Sequence, residues 1–445
     1  MKIPQRPPSP ERIQASLSAQ LAKDASVLSA RPEDRYLHWD EMRRRSPPEG
    51  LDHETWWSIL KLGRLLARSL VPLQDASGSA FGWSSTDAIS EQLHAIDLWA
   101  GGHVGFTEPI ATREAQSQYY LSSLITEAIT SSQLEGASTT REVAEEMLLS
   151  KRKPRDTGER MIVNNYLTMK RIHELKTEPL TPALVFDLHR LVTADTLERP
   201  EAAGRLRRAD ERIAVVDNDD QVLHTPPPAD TLPARLRTLC DFANEKTPKG
   251  FLHPALRAIV LHFWLAYDHP FVDGNGRTAR ALFYWSMLRS GYWLFEYVSI
   301  SEVILRAPVK YGRAFLLTET DDNDLTYFIH YHLEVIRESL DTLKRFIAKK
   351  ANDVRTLDGI LHLAADRFNH RQRELLSHAL RHPTEVYTIA GHQARQAVVY
   401  QTARTDLLGL ADAGLLAKNE AGKKLVFRPV RDLDKRLRRL GEEAS

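Results

Sequence analysis

The 445-residue chain holds a single cysteine, Cys240. No internal disulfide can form and no cysteine cluster can bind a metal, which suits a reducing compartment. Long apolar runs are missing as well. The greasiest stretch, AIVLHFWLAY at 258–267, is too short to cross a bilayer and carries His262. The opening MKIPQRPPSPER lacks the apolar core of a signal peptide, so a cytoplasmic location is expected. Excess charge of one sign is absent too: 60 basic residues face 59 acidic ones, for a net charge of +1. Whole-chain charge therefore points neither toward nor away from nucleic acid, and only a local patch can decide. Strand signals are scarce. There is no GxxxxGK[ST] phosphate loop and no serine nucleophile elbow.

What remains is a chain of helix patterns, of a length that suits two or three domains. The expected fold class is mainly α. Three regions are expected: a helical segment over 1–108, a central domain over 109–350 and a smaller domain over 351–445. In the first, Trp39, Trp56 and Trp57 predict a small packed core, and QDASGSAFGWSSTD at 74–87 reads as a loop. AGGHVGF at 100–106 reads as a break. From 112 onward the apolar spacing is helical, with Tyr120, Leu121, Leu124, Ile125, Ala128 and Ile129 on one stripe that closes at Gly136. TPALVFDLHRLVTADTL predicts a helix capped by Thr181 with Pro182 at its first position. One hairpin is expected, in RIAVVDNDDQVLHTPPP, where β-branched residues flank 217–220. KKANDVRTLDGILHLAADRFNHRQRELL predicts one long helix or two. Past it, short helices lead to a hairpin with a basic turn, the pattern of a winged helix. Ala403, Leu407 and Leu410 should face inward there, with Gln401, Arg404, Thr405 and Leu408 outward.

The densest chemistry lies in HPFVDGNGRTAR at 269–280. Pro270 biases His269 away from the α region, so the preceding helix should stop near Asp268. Gly274 and Gly276 permit a tight turn and close backbone approach to a ligand. RTARALFYWSMLRS then opens a new helix, whose first turn offers free N–H groups and a positive dipole end. Arg277 and Arg280, three apart, add two cations to that end, a conflict that an anion such as a polyphosphate would resolve. Asp273 fits among phosphates only if a hard cation bridges them, and a single carboxylate plus phosphate oxygens is how Mg2+ is usually held. His269 is placed to take a proton from an attacking hydroxyl. A zinc site built on His262 and His269 fails on spacing.

This stretch resembles the Fic (filamentation induced by cyclic AMP) signature HxFx(D/E)GNGRxxR, with His269, Phe271, Asp273, Gly274, Asn275, Gly276, Arg277 and Arg280 at every specified position. The resemblance extends over roughly residues 110–345. GRLRRADERIAVVDNDDQVLHTPPPADTL resembles the hairpin flap of that fold, and HPALRAIVLHFWLAYDHPF its preceding helix. The resemblance implies transfer of AMP from ATP to a hydroxyl of a target protein. It makes His269 the general base and Asp273 the Mg2+ ligand. Gly274, Asn275 and Gly276 become the anion-binding turn, Arg277 a phosphate contact and Arg280 the grip on the γ-phosphate. The flap would hold the target by strand-like pairing. Tyr311 would line the nucleoside side, where the family often has paired tyrosines and this chain has Gly312. Upstream, SSQLEG at 131–136 fits the family's inhibitory pattern (S/T)xxxE(G/N) with Ser131, Glu135 and Gly136. A Glu135–Arg280 pair would then compete with the γ-phosphate.

Two rival readings stand beside protein adenylylation. The same site would remove AMP if Glu135 aligned a water, and the C-terminal region would make the chain a DNA-binding regulator. The second rests on Arg404, Lys418, Lys423, Lys424, Arg428, Arg436, Arg438 and Arg439, diluted by Asp406, Asp412, Glu420, Glu442 and Glu443, so that a protein-docking or dimer-forming role for the region stands level with DNA binding. The partners expected are thus a protein bearing a Ser, Thr or Tyr hydroxyl, with a second copy of the chain and DNA left open.

Overall fold

The computed structural model describes residues 1–23, 35–101, 113–217, 219–363, 367–382, 384–421 and 424–442. It is mainly helical, with three small antiparallel sheets among the described residues. The described residues before 102 form one compact unit with Arg113–Leu343, and the residues from Lys344 onward form a second. The expected break at 100–106 lies almost wholly outside the described residues.

At the centre of the first unit two helices, Pro254–Asp268 and Asn275–Arg289, pack along each other. Nearly every residue of both is buried, because further helices pack around the pair. Thr157–Leu175, Pro182–Val192 and Leu232–Ala243 supply part of that shell. Local chemistry sets their ends. The Asp156 carboxylate accepts from the Glu159 amide, and the Thr181 hydroxyl accepts from the Leu184 amide with Pro182 in the first turn. Arg113–Gln133 lies against Thr157–Leu175, burying Ile125, Ala128 and Ile129.

The tryptophans near the amino terminus do form a small core: Trp39, Trp56 and Trp57 close with Leu37, Met42 and Leu60. Polar groups, and not apolar surface alone, tie it to the 321–327 stretch at the start of the Thr326–Leu363 helix. Lys61 pairs with the buried Asp321, and Arg64 donates to the Tyr327 hydroxyl at 2.9 Å and to the Leu37 carbonyl at 2.8 Å. Residues 74–87 are more than the loop that their composition suggests. Arg68–Gln74 and Ala80–Ser84 pair as a hairpin, and Gly82 bridges to Asp324. The Asp75 carboxylate makes the turn by accepting from the amides of Ser77 and Ser79. The hairpin expected from β-branched residues is present but short, Val215–Val216 against Val222–His224.

In the second unit, the helices His370–Arg381, Ile389–Gln396 and Tyr400–Asp412 combine with a three-stranded sheet. Its order is Tyr387–Thr388, Lys424–Pro429, Leu416–Ala421. The long polar stretch before it is two helices, Thr326–Leu363 and His370–Arg381. Ala403, Leu407 and Leu410 are buried as expected. Leu408 is not outward: it packs partly buried against the same core. Asp406, expected to dilute a basic surface, is buried. It accepts from Arg371 at 2.7 Å and from Asn369 at 2.8 Å, with His392 at 3.3 Å. Of the basic residues, Arg404, Lys418, Arg428, Arg436, Arg438 and Arg439 are exposed. Lys423 and Glu443 lie outside the described residues.

Candidate active site

The 269–280 stretch is a turn between the two buried helices, and its backbone is held by its own side chains. Pro254–Asp268 ends where expected, and His269 lies outside the right-handed α region as expected, in the left-handed one at φ 43° and ψ 56°. Proline disfavours the right-handed α well for the residue before it. The C-terminal capping geometry of the helix, with the His269 amide donating to the Leu265 carbonyl at 3.0 Å, selects the left-handed one. Asn275 staples the turn, donating to the Phe271 carbonyl and accepting from its amide, each at 2.9 Å. Gly274 has φ 79°, and a Cβ there would lie 2.6 Å from a Thr193 methyl. Glycine is therefore required twice over at that position, by conformation and by space.

His269 donates from Nδ1 to the Ala266 carbonyl at 3.2 Å. Burial pulls its pKa down to about 4, with nearby His224 and Arg207 adding to the effect and the Ala266 hydrogen bond opposing it. The ring is neutral at pH 7, and with Nδ1 protonated its Nε2 is the basic atom.

Arg277 and Arg280 are both fully buried at the amino end of Asn275–Arg289. Arg277 donates to the Val192 carbonyl at 2.9 Å, while its Nε and Nη2 have no hydrogen-bond partner. Asp273 Oδ2 stands 3.5 Å from Arg277 Nη2, and its side chain is half exposed. Asp273 Oδ1 accepts from the Gly274 amide at 2.6 Å. Arg280 is better satisfied: Nε donates to the Ser131 hydroxyl at 2.8 Å, and Nη2 to the Ser131 carbonyl at 2.8 Å and Glu135 Oε1 at 2.9 Å. Burial opposes the Arg280 charge most strongly, yet Glu135, Tyr311 and Glu127 together turn the net shift upward. Glu135 also sits on the helix end, since a Cβ on Gly276 would collide with its Oε1. Gly136, at φ 92°, lets the chain turn away after it.

His269, Gly276, Arg280 and Glu135 open on a cavity of about 580 Å3, lined also by Tyr311 and the Val215–Asp217 edge of the hairpin; Asp273 and Arg277 stand beside it in the same turn and helix. Tyr311 is held from behind by a chain of rings: its hydroxyl meets His262 Nε2 at 2.9 Å, and His262 Nδ1 meets His332 Nε2 at 3.0 Å. Burial raises the Tyr311 pKa to about 12. Where the second tyrosine of the pattern would stand, the Met1 side chain lies over Gly312, and the Met1 ammonium pairs with Asp217 of the hairpin.

Every motif residue from the sequence is thus in one place. Reasoning from sequence missed the groups behind them. Glu127 is buried beneath Arg280 and accepts from Tyr284, Ser299 and Ser301. His189 stacks on Phe271, and Arg207 donates to the His269 carbonyl at 2.9 Å. A histidine within the apolar face of VFDLHRLV was the visible signal for His189; for Glu127 there was none.

No group of three or more histidine, cysteine or carboxylate side chains is gathered for a metal among the described residues. One half-exposed carboxylate at the lip of a cationic pocket does suit Mg2+ brought in with a phosphate ligand.

Residues 179–287 match the Fic/DOC family. Among curated proteins, the protein adenylyltransferase Fic of Nematostella vectensis is 30% identical over 166 residues, 37% of this chain and 34% of that protein. The protein adenylyltransferase fic-1 of Caenorhabditis elegans is 28% identical over 163 residues, 37% of this chain and 28% of that one. The chain thus covers about a third of the length of these relatives. Among solved structures, a Fic family protein from Desulfovibrio desulfuricans G20 superposes with a TM-score of 0.55 at 17% identity, covering 81% of this chain and 99% of that one. A variant of Fic-1 from C. elegans gives 0.51 at 16% identity, covering 77% and 99%. The fold is shared with Fic proteins. No helix among the described residues is long and apolar enough to cross a membrane.

The buried neutral histidines carry a pH prediction. Burial lowers the pKa of His38 to about 3, of His189, His269 and His330 to about 4, and of His332 to about 3. Unfolded, each would titrate near 6.5. Between those values the unfolded chain binds more protons, so stability is full above about pH 6.5 and falls as pH drops toward 4. Thermal melts in matched ionic strength should show Tm falling through that window; a flat profile from pH 7 to 5 would contradict the neutral, buried assignment.

Proposed function

We propose that this chain, which carries a Fic domain, is a self-inhibited protein adenylyltransferase that moves AMP from ATP onto a hydroxyl of a target protein. The observation that carries the reading is the pair of buried guanidinium groups at the Asn275 helix end, with two Arg277 nitrogens lacking hydrogen-bond partners. Buried donors without acceptors are costly, and a phosphate supplies several acceptors at once.

His269 Nε2 takes the proton of the target hydroxyl as its oxygen attacks the α-phosphorus of ATP. The P–O bond to the β-phosphate breaks and pyrophosphate leaves. Arg277 and the Gly274–Gly276 amides hold phosphate oxygens, and Arg280 binds the γ-phosphate. Asp273 would hold Mg2+, which when bound neutralises phosphate charge. Tyr311 walls the nucleoside side, and the hairpin edge at Val215–Val216 receives the target backbone.

Ser131, Glu135 and Gly136 form the inhibitory element. Glu135 occupies the cation and the helix end that the γ-phosphate needs, as its 2.9 Å bond to Arg280 and its place over Gly276 support. Glu135→Gly should raise AMP incorporation from labelled ATP at least tenfold, read as auto-modification by intact-mass spectrometry. Equal labelling of variant and parent would remove the inhibitory role, and loss of AMP from a modified target would instead identify the reverse reaction. In the Glu135→Gly background, His269→Ala should cut transfer by two or more orders of magnitude while nucleotide Kd stays within about threefold. Unchanged turnover would dismiss His269 as the base.

The order of helices and strands in the second unit supports a winged helix, and its exposed Arg404, Lys418, Arg428, Arg438 and Arg439 suit a phosphate backbone. We read it as a docking module for DNA attached to a cytoplasmic enzyme. DNA affinity measured from 50 to 200 mM salt should fall steeply; salt-independent or undetectable binding would exclude DNA.

A further inference from the structure

The segment that leads into the hairpin touches the catalytic turn at both ends, and neither contact belongs to the transfer chemistry itself. At the Asp273 end the link is His189, fully buried on Pro182–Val192. The Gly204 amide lies 2.9 Å from His189 Nδ1. A backbone N–H can only donate, so Nδ1 is the acceptor and the proton of the neutral ring is on Nε2. That N–H faces the Asp273 carbonyl at 2.9 Å and donates to it. The same ring stacks on Phe271, with centroids 3.7 Å apart and planes 9° from parallel. One imidazole thereby ties Gly204, Phe271 and Asp273 together.

At the His269 end the link is Arg207. Its amide donates to the Pro270 carbonyl at 2.8 Å, and its Nε to the His269 carbonyl at 2.9 Å. His269 is a left-handed residue with a side chain, a conformation that persists only where its surroundings over-determine it. The Leu265 bond fixes its amide and Arg207 fixes its carbonyl, so the direction of the imidazole follows from both.

We propose that His189 and Arg207 are positioning residues that pin the 269–274 turn at its two ends, so that the segment entering the target-binding hairpin also sets where the His269 imidazole and the Asp273 carboxylate stand. This rests on the adenylyl-transfer reading for its kinetic consequence but not for its geometry. Neither residue touches the nucleotide; both act through backbone carbonyls of the turn. Because the hairpin and the turn share the Gly204–Arg207 segment, a target pulling on the hairpin would be felt at the base.

The test uses the full chain in the Glu135→Gly background with His189→Phe, His189→Gln and Arg207→Lys. Phenylalanine keeps the stacking and loses both hydrogen bonds; glutamine restores a donor toward the Asp273 carbonyl; lysine keeps the charge and the backbone bond but loses Nε and the Nη2 bond to the Pro227 carbonyl. His189→Phe and Arg207→Lys should lower kcat about 10- to 100-fold with the ATP KM within about threefold, the size expected for a displaced catalytic group. His189→Gln should recover most of kcat. Amide hydrogen exchange read on peptides spanning 269–276 should quicken at least tenfold in the first two variants, with the Pro254–Asp268 helix unchanged. Exchange needs no activity, so a Glu135→Gly parent that transfers nothing defeats the adenylyl-transfer reading while exchange still decides the clamp. Unchanged exchange in the turn would overturn the proposal. So would faster exchange across the whole unit, or a rise in KM with kcat intact.

Discussion

Two guanidinium groups buried at the amino end of one helix are the constraint on which the site depends. The helix dipole already makes that end positive, and Arg277 and Arg280 add two full charges without exposure to water. Such an arrangement stands only with negative charge beside it. The chain supplies part of it: Glu135 on Arg280 and Asp273 near Arg277. Beneath them Glu127 is buried among hydroxyls, with its pKa pushed up by desolvation while the hydroxyls and Arg280 pull the other way. The intramolecular carboxylate and an incoming phosphate are thus alternatives for the same electrostatic role.

That competition need not be lopsided. Glu135 holds Arg280 through one carboxylate oxygen, backed by two bonds from Arg280 to Ser131 that do not depend on the Glu135 charge. Removing the carboxylate leaves Arg280 oriented by Ser131 rather than adrift. A glutamate on the turn that closes a long helix is well suited to this task. The Arg113–Gln133 helix is anchored by Ile125, Ala128 and Ile129, and the cavity is reached by the turn just past its end, at Leu134 and Glu135. On the proposed inhibitory reading, displacing that turn alone would free Arg280 from Glu135, since the anchoring residues lie earlier in the helix.

The turn, the helix boundaries and the amino-terminal tryptophan core were legible in the sequence because each is a local matter of glycine, proline, capping and periodicity. Thr181 and Pro182 define a helix start wherever they occur before an apolar stripe. The hairpin at 68–84 was not legible, since a polar Asp-Ala-Ser-Gly-Ser turn looks like a loop until its flanks are seen to pair with each other and with Asp324. Leu408 and Asp406 were misread for a related reason: helical spacing tells which residues share a face but not how wide the buried face is. A carboxylate that joins neighbouring helices, as Asp406 does with Arg371 and Asn369, lies inside that face. His189, Arg207 and Glu127 act across 62 to 172 residues of chain, and no local pattern encodes a contact of that range.

The same field bears on the base. A ring with a pKa of about 4 is neutral and ready to accept a proton at pH 7, but it is also a weak base. Its basicity is depressed first by burial and then by His224 and Arg207, while Glu135 acts the other way; an added anion nearby would raise it. A unit charge some 6 Å away at an effective dielectric of about 20 contributes roughly 3 kcal/mol, or about two pKa units. Nucleotide binding would therefore move His269 toward the value that suits proton abstraction near neutral pH. On the proposed reading, the substrate that pairs with the buried arginines would also raise the basicity of His269.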